Sequence, residues 1–228
     1  MKNRIINNAV VAEVASALKE LKDQMIFVGG SVVNLYVNEE AAEEVRQTDD
    51  VDVTINLINY TAWVQMQERL AELGFNPDPE GHSICSYVYK GIPVDIMTSE
   101  DDSSGGGNEW YKIGSDNLWN KEVGRESINI LSAPCFLATK FKAFNNRSGD
   151  YRASHDFEDI IYLLDNRTTI IEEIENDHPE IIQFLKKEFT KVYNSLSFEE
   201  IISCHVHPLI QEERVPIIKE KIELIIAI

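Results

Sequence analysis

Three aspartates and a glycine turn are the residues of this chain whose types and spacing point to chemistry. Asp50 and Asp52 stand two apart in TDDVDVTI (residues 48–55), a run that reads as a β-strand. Side chains alternate along a strand, so the two carboxylates point to one side and repel unless a positive charge lies between them. Asp95 sits in PVDIM, a second strand-like run that is otherwise apolar. A carboxylate there is costly to bury unless it is paired or coordinates a metal ion. An all-oxygen ligand set suits magnesium or manganese rather than zinc. Upstream, FVGGSVVNLYV (residues 27–37) reads as a buried strand that breaks at Gly29-Gly30 and turns into a helix with Ser31 in its first turn. First-turn N–H groups lack intrahelical partners and can meet an anion, which places a phosphate site beside a metal site. Plainer explanations exist for each part: a solvent-facing strand residue or turn cap for any one acid, a packing requirement for the glycines. No Lys-Ser/Thr follows at the spacing of a Walker loop. Asp49 points to the opposite side and reads as structural.

The elements that must position these residues follow from periodicity. Ile6, Val10, Val14, Ala17, Leu18 and Leu21 lie near helical spacing within residues 5–22. A strand over 25–28, the helix over about 31–37 and a polar, acidic connector over 38–47 come next. YTAWVQMQERLAEL (residues 60–73) gives an amphipathic helix that stops at Gly74. SICSYVY and IPVDIMT are strand-like runs separated by Lys90-Gly91, which predicts a hairpin with Asp95 on its second strand. SEDDSSGGGNEWY (residues 99–111), with Gly105, Gly106 and Gly107, is a surface connection or a flap over a site. A last strand is expected over 127–131.

From Pro134 onward the pattern is helical only, with a first helix to about Asn145. Ser154 suits the cap of a helix carrying Phe157, Ile160, Ile161 and Leu164. Thr169 with Glu172 and Ser197 with Glu200 are capping-box patterns, and Asp177 before Pro179 marks another start. There is no internal repeat. The expected architecture is α+β: a mixed α/β domain over 1–131 and a helical domain over 132–228.

Composition narrows the function. At 228 residues and 43% hydrophobic, the chain can bury one large core or two modest ones. Its net charge of −18 is opposite to the basic surface on which general nucleic-acid binders depend. A local basic patch, or a substrate whose phosphates arrive with a divalent metal, remains compatible with that charge. No signal peptide and no apolar run of membrane-spanning length are present, so a cytoplasmic protein is expected. Cys85, Cys135 and Cys204 have no paired spacing and are expected as small core residues in a reducing compartment.

Lys140 is out of place on its predicted helix. With Phe136 at zero and ~100° per residue, Leu137, Phe144 and Phe141 span an arc to about 140°, and Lys140 falls at about 40°. Lys142, at about 240°, lies outside that arc. A buried lysine needs a partner: a carboxylate would make it structural, a triphosphate functional. On the next helix Asp156 and Asp159 are three apart and share a side; either can pair with Lys140, and the helix dipole accounts for Asp156 better than for Asp159. The CHVH run (residues 204–207) lacks a second cluster to complete a metal site, and His155 is read as a cap-region residue.

Together, the Gly-Gly-Ser turn, the paired-acid strand and the third acid resemble the nucleotidyltransferase superfamily. TDDVDV is similar to the T-x-D-h-D-h motif of AbiEii-type nucleotidyltransferases, the toxins of one class of toxin–antitoxin and phage-defence pairs. SAPCFLATKFKAF and GDYRASHDFEDIIYLL resemble that group's lysine helix and following aspartate helix, so the likeness spans most of residues 25–165. Asp49 and Lys142 depart from the group, which often has a basic residue and an acid there. The resemblance implies a nucleotidyltransferase-like mixed sheet flanked by helices. It also implies transfer of a nucleotide from an NTP such as ATP or GTP with magnesium or manganese. Asp50, Asp52 and Asp95 would hold the metal, with Asp95 also taking a proton. Gly29, Gly30 and Ser31 would hold phosphates, Lys140 would neutralise phosphate charge, and Asp156 or Asp159 would be the later aspartate. A tRNA acceptor and an antitoxin partner are implied. The acidic composition favours a small-molecule acceptor, such as an aminoglycoside, or a protein. A nucleotide-binding module without turnover is the alternative from another class.

Overall fold

Four consecutive apolar residues form β1 (Met25–Val28), which is buried on both faces as a central strand must be. Around it the computed structural model describes residues 2–39, 42, 44–56, 60–79, 81, 85–98, 108–147 and 149–228. Gly105, Gly106 and Gly107, and the first two residues of SICSYVY, lie outside the described residues. The chain divides into two units, Met1–Leu35 with Glu44–Ser132 and Tyr36–Glu43 with Ala133–Ile228.

The first unit is built on a sheet that is seven-stranded among the described residues. Its other strands are β2 (Val51–Ile55), β3 (Asn76–Pro77), β4 (Ser86–Tyr89), β5 (Ile92–Thr98), β6 (Trp119–Val123) and β7 (Glu126–Ile130), in the order β3-β4-β5-β2-β1-β7-β6. β1 pairs antiparallel with β2 and parallel with β7, while β2 runs parallel to β5. The parallel β2–β5 pair needs a crossover, which includes α2 (Tyr60–Glu72). The remaining helices of this unit are α1 (Lys2–Leu18) and α3 (Trp110–Gly114). Lys90 and Gly91 both have positive φ (48° and 84°), the geometry of a two-residue hairpin turn joining β4 to β5.

Several expectations need correction. The segment after the glycines is a 3-10 helix, Gly30–Tyr36, rather than an α-helix. It is short and carries the β-branched pair Val32-Val33, both conditions that weaken an α-helix. The first helix ends at Leu18 and passes into a 3-10 helix, Lys19–Gln24, through a left-handed Lys19. β6 has no counterpart in the sequence reading: WNKEV is an edge strand with alternate residues half-exposed, so it lacks an apolar run. Of the cysteines, Cys135 is buried and Cys85 partly so, but Cys204 is exposed and fills no core.

The second unit contains α4 (Ala133–Arg147), α5 (His155–Asn166), α6 (Ile170–Glu175), α7 (Pro179–Tyr193), α8 (Phe198–Ser203) and α9 (Gln211–Ala227). Phe141, Phe157 and Phe189 are fully buried, and Phe141 meets Phe189 edge-on at 4.8 Å. Each contributes roughly 1.5–3 kcal/mol by burial. Ser154 caps α5 by accepting from the Phe157 N–H, as its position predicts. Thr169 and Ser197 precede α6 and α8 but make no side-chain cap bond; the Thr169 hydroxyl donates to Glu173 instead. α7 starts at Pro179, as the Asp177–Pro179 signal predicts, and His178 caps it by accepting from the Glu180 N–H. At the C-terminus of α5, Lys221 donates to the carbonyls of Leu164 (2.5 Å) and Arg167 (3.1 Å), answering the negative end of the helix dipole. Arg214 adds bonds to the Asp165 carboxylate and carbonyl, both 2.7 Å. Among the described residues no helix is long and apolar enough to cross a membrane.

Candidate metal centre

Strand register assembles the acids. Val28 on β1 stands opposite Asp52 on β2, Asp52 beside Asp95 on β5, and Asp95 opposite Ser86 on β4. Directly paired residues point to the same face, so this row across four strands puts two carboxylates and a hydroxyl on one surface of the sheet. Asp50 lies one residue before β2 and is exposed, whereas Asp52 and Asp95 are half-buried. One carboxylate oxygen from each of Asp50, Asp52 and Asp95 falls within 4.8 Å of the others. Bare like charges at that spacing repel by on the order of 1 kcal/mol per pair in water and 3 kcal/mol or more where the effective dielectric is ~20. A divalent cation bound by all three removes that repulsion, and the all-oxygen donor set fits one. The triad expected from the sequence is therefore assembled. Asp49 is exposed.

The glycine turn is the seat of this centre. Gly29 has φ +73°, and a Cβ built on it would lie 1.9 Å from Asp52 Oδ2. The position therefore needs glycine twice, for its left-handed backbone and for the carboxylate packed on it. A Cβ on Gly30 would lie 2.0 Å from the Arg46 guanidinium, so that cation covers the next residue of the turn. Ser31 is 1% exposed, and its hydroxyl has no hydrogen-bond partner among the described residues.

Two residues of this neighbourhood escaped the sequence reading. Arg46 lies within residues 44–50, which form no helix or strand, and only the fold reveals that it reaches Gly30. Ser86 donates to Asp95 Oδ1 at 2.6 Å. That pairing was legible, because a two-residue turn at Lys90-Gly91 fixes the hairpin register outward from Tyr89 and Ile92 to Ser86 and Asp95.

In the second unit Lys140 is buried at 6% exposure, as the helical wheel predicts. Its ammonium meets Asp159 Oδ2 at 2.7 Å and Asp156 Oδ1 at 3.4 Å. Arg147 holds the other oxygen of Asp156 at 2.6 Å. Two cations thus face two carboxylates. His155 is exposed and pairs with Glu158. In the CHVH run, His205 bonds the Tyr151 carbonyl at 2.7 Å and His207 accepts from the Leu209 N–H. Both have structural work that accounts for them.

No family model matches the chain, and no curated protein matches it. Among solved structures it is similar to an antigenic nucleotidyltransferase-like protein from Paracoccidioides brasiliensis, with a TM-score of 0.51 and 16% identity over 88% of this chain and 93% of that one. A candidate nucleotidyltransferase from H. pylori gives a TM-score of 0.48 at 11% identity, over 100% of this chain and 96% of that one. The first likeness shows the fold: a nucleotidyltransferase-like mixed α/β arrangement with a helical C-terminal region. Onto that fold this chain places an acidic triad suited to a metal ion.

Proposed function

We propose that this protein is a metal-dependent nucleotidyltransferase that moves a nucleoside monophosphate from an NTP to an acceptor hydroxyl. The observation that carries the reading is the convergence of Asp50, Asp52 and Asp95 beside the Gly29-Gly30 turn. Asp50 and Asp52 hold the metal, magnesium or manganese by their oxygen chemistry, and Asp95 completes the ligand set. Bound there, the metal supplies charge neutralisation for the triphosphate and acidifies the acceptor hydroxyl. Asp95 takes the hydroxyl proton as the acceptor oxygen bonds the α-phosphorus and pyrophosphate departs. Gly29, Gly30 and Ser31 receive the β- and γ-phosphates, a role supported by a Ser31 hydroxyl that meets no partner among the described residues, with Arg46 adding positive charge. By the likeness of its helix to the AbiEii-type lysine helix, Lys140 is assigned the neutralisation of phosphate charge, while its pairing with Asp159 and Asp156 supports a structural role beside it.

The catalytic domain is assigned to residues 1–131 and a helical domain to 132–228. By its TDDVDV motif the protein is placed with the AbiEii-type enzymes, acting in the cytoplasm on tRNA and countered by an antitoxin. The net charge of −18 favours a second reading, a small-molecule acceptor such as an aminoglycoside. The test is incubation with magnesium and each α-labelled NTP in turn, against total RNA and a small-molecule library. Transfer that Asp52→Asn abolishes supports the enzyme, and label on RNA selects the toxin-like reading. NTP binding without transfer to any acceptor leaves a binding module.

A further inference from the structure

Ser86 belongs to none of the roles above, yet its hydroxyl donates to a proposed metal ligand. We propose that Ser86 is a positioning residue that fixes the Asp95 carboxylate, and that Gly81 is the gap that admits it. The inference rests on the metal-centre reading. The Ser86 Oγ to Asp95 Oδ1 distance of 2.6 Å lies in the range of charge-assisted O–H···O bonds. Ser86 is 6% exposed, so its hydroxyl is shielded from water, while Asp95 is half-buried and reachable. With Oδ1 engaged, rotation of the carboxylate is restrained and Oδ2 is the oxygen left to a metal or to the acceptor proton.

The surroundings of Ser86 hold it in place. Its carbonyl accepts from the Asp78 N–H at 2.9 Å, and the Gly81 N–H returns to the Asp78 carbonyl at 3.3 Å. A Cβ on Gly81 would lie 2.4 Å from the Ser86 Cβ, so a side chain there and Ser86 cannot both keep their places. Gly81 therefore packs against the hydroxyl-bearing residue at a distance only glycine allows.

The experiment is Mn²⁺ titration of the full chain, followed by the electron paramagnetic resonance signal of free Mn²⁺, with melting temperatures measured in parallel. Wild type, Asp95→Asn, Ser86→Ala, Ser86→Cys and Gly81→Ala are compared. Loss of a residue that orients a metal ligand typically weakens binding 10–100-fold. Ser86→Ala, Ser86→Cys and Gly81→Ala are therefore expected to bind Mn²⁺ at least tenfold more weakly than wild type, at temperatures where all remain folded. Wild-type affinity in Gly81→Ala would overturn the role given to Gly81. Alanine is smaller than serine and cysteine larger, and both lack the strong donor, so a loss shared by the two variants separates the hydroxyl from packing. If wild type binds, Asp95→Asn weakens binding, and both Ser86 variants bind as wild type does, the positioning role is overturned while the metal centre stands. If wild type takes up no Mn²⁺, or Asp95→Asn changes nothing, the metal-centre reading itself fails.

Discussion

Gly29→Ala is the smallest change that should disable the metal centre without touching a ligand. The added methyl carbon would lie 1.9 Å from Asp52 Oδ2 and 2.8 Å from its Cγ. A carbon–oxygen contact needs roughly 3.3 Å, so the oxygen must retreat by about 1.4 Å. Metal–ligand distances tolerate only about 0.2 Å, so Asp52 would cease to be a ligand. Loss of that contact is expected to weaken Mn²⁺ binding by on the order of 10–100-fold, or ~1.4–2.7 kcal/mol. The φ of +73° adds a backbone cost of roughly 1–2 kcal/mol, read as a lower urea midpoint. Gly74→Ala is the matched control: its φ is +90°, but the nearest atom to an added Cβ is in Tyr89 at 3.8 Å. That variant should share the stability loss and keep wild-type Mn²⁺ affinity. Isothermal titration on both folded variants decides the matter. Wild-type affinity in Gly29→Ala would refute the idea that the turn seats the Asp52 carboxylate.

Other consequences can be checked on the same preparations. Lys140→Met leaves Asp159, 1% exposed, without its closest cation, and should cost about 3–5 kcal/mol in urea denaturation; a near-wild-type midpoint would show the ion pairs to be idle. Burial pushes His205 below its ordinary 6.5, so its contribution to stability is complete above that pH and is lost as pH falls through the folded value. Wild type should therefore lose stability between pH 7.5 and 5 more steeply than His205→Gln, and equal slopes would contradict this. Arg46→Ala, which removes the cation over Gly30, should raise the KM for NTP about tenfold with a smaller fall in kcat. Ser154→Ala removes the α5 cap and should cost about 1 kcal/mol, seen as a lower melting temperature.

The parts of the site legible in the sequence are those set by local periodicity. Two-residue spacing brought Asp50 and Asp52 to one side, the Lys90-Gly91 turn placed Asp95 on a hairpin, and the helical wheel put Lys140 on a buried stripe with carboxylates near it. What stayed hidden depends on non-local pairing. That Gly29 supports Asp52 follows only from the antiparallel match of β1 with β2, two strands well apart in the sequence. Arg46 reaches Gly30 from within residues 44–50, where no period constrains the chain. β6 was invisible for a different reason: an edge strand with one buried residue in five needs no apolar pattern to pair with β7. The 3-10 helix after the glycines shows tertiary packing overriding the reading of a regular helix, with Val32, Val33 and Tyr36 all fully buried.

The central claim is that the three aspartates hold a divalent metal against a nucleotide. Anomalous diffraction from crystals grown with Mn²⁺ and a non-hydrolysable NTP analogue tests it most directly. The account predicts an anomalous peak about 2.1 Å from carboxylate oxygens of Asp50, Asp52 and Asp95, with the triphosphate beside Gly29 and Gly30. Nucleotide bound elsewhere, with no peak among those carboxylates, would contradict it.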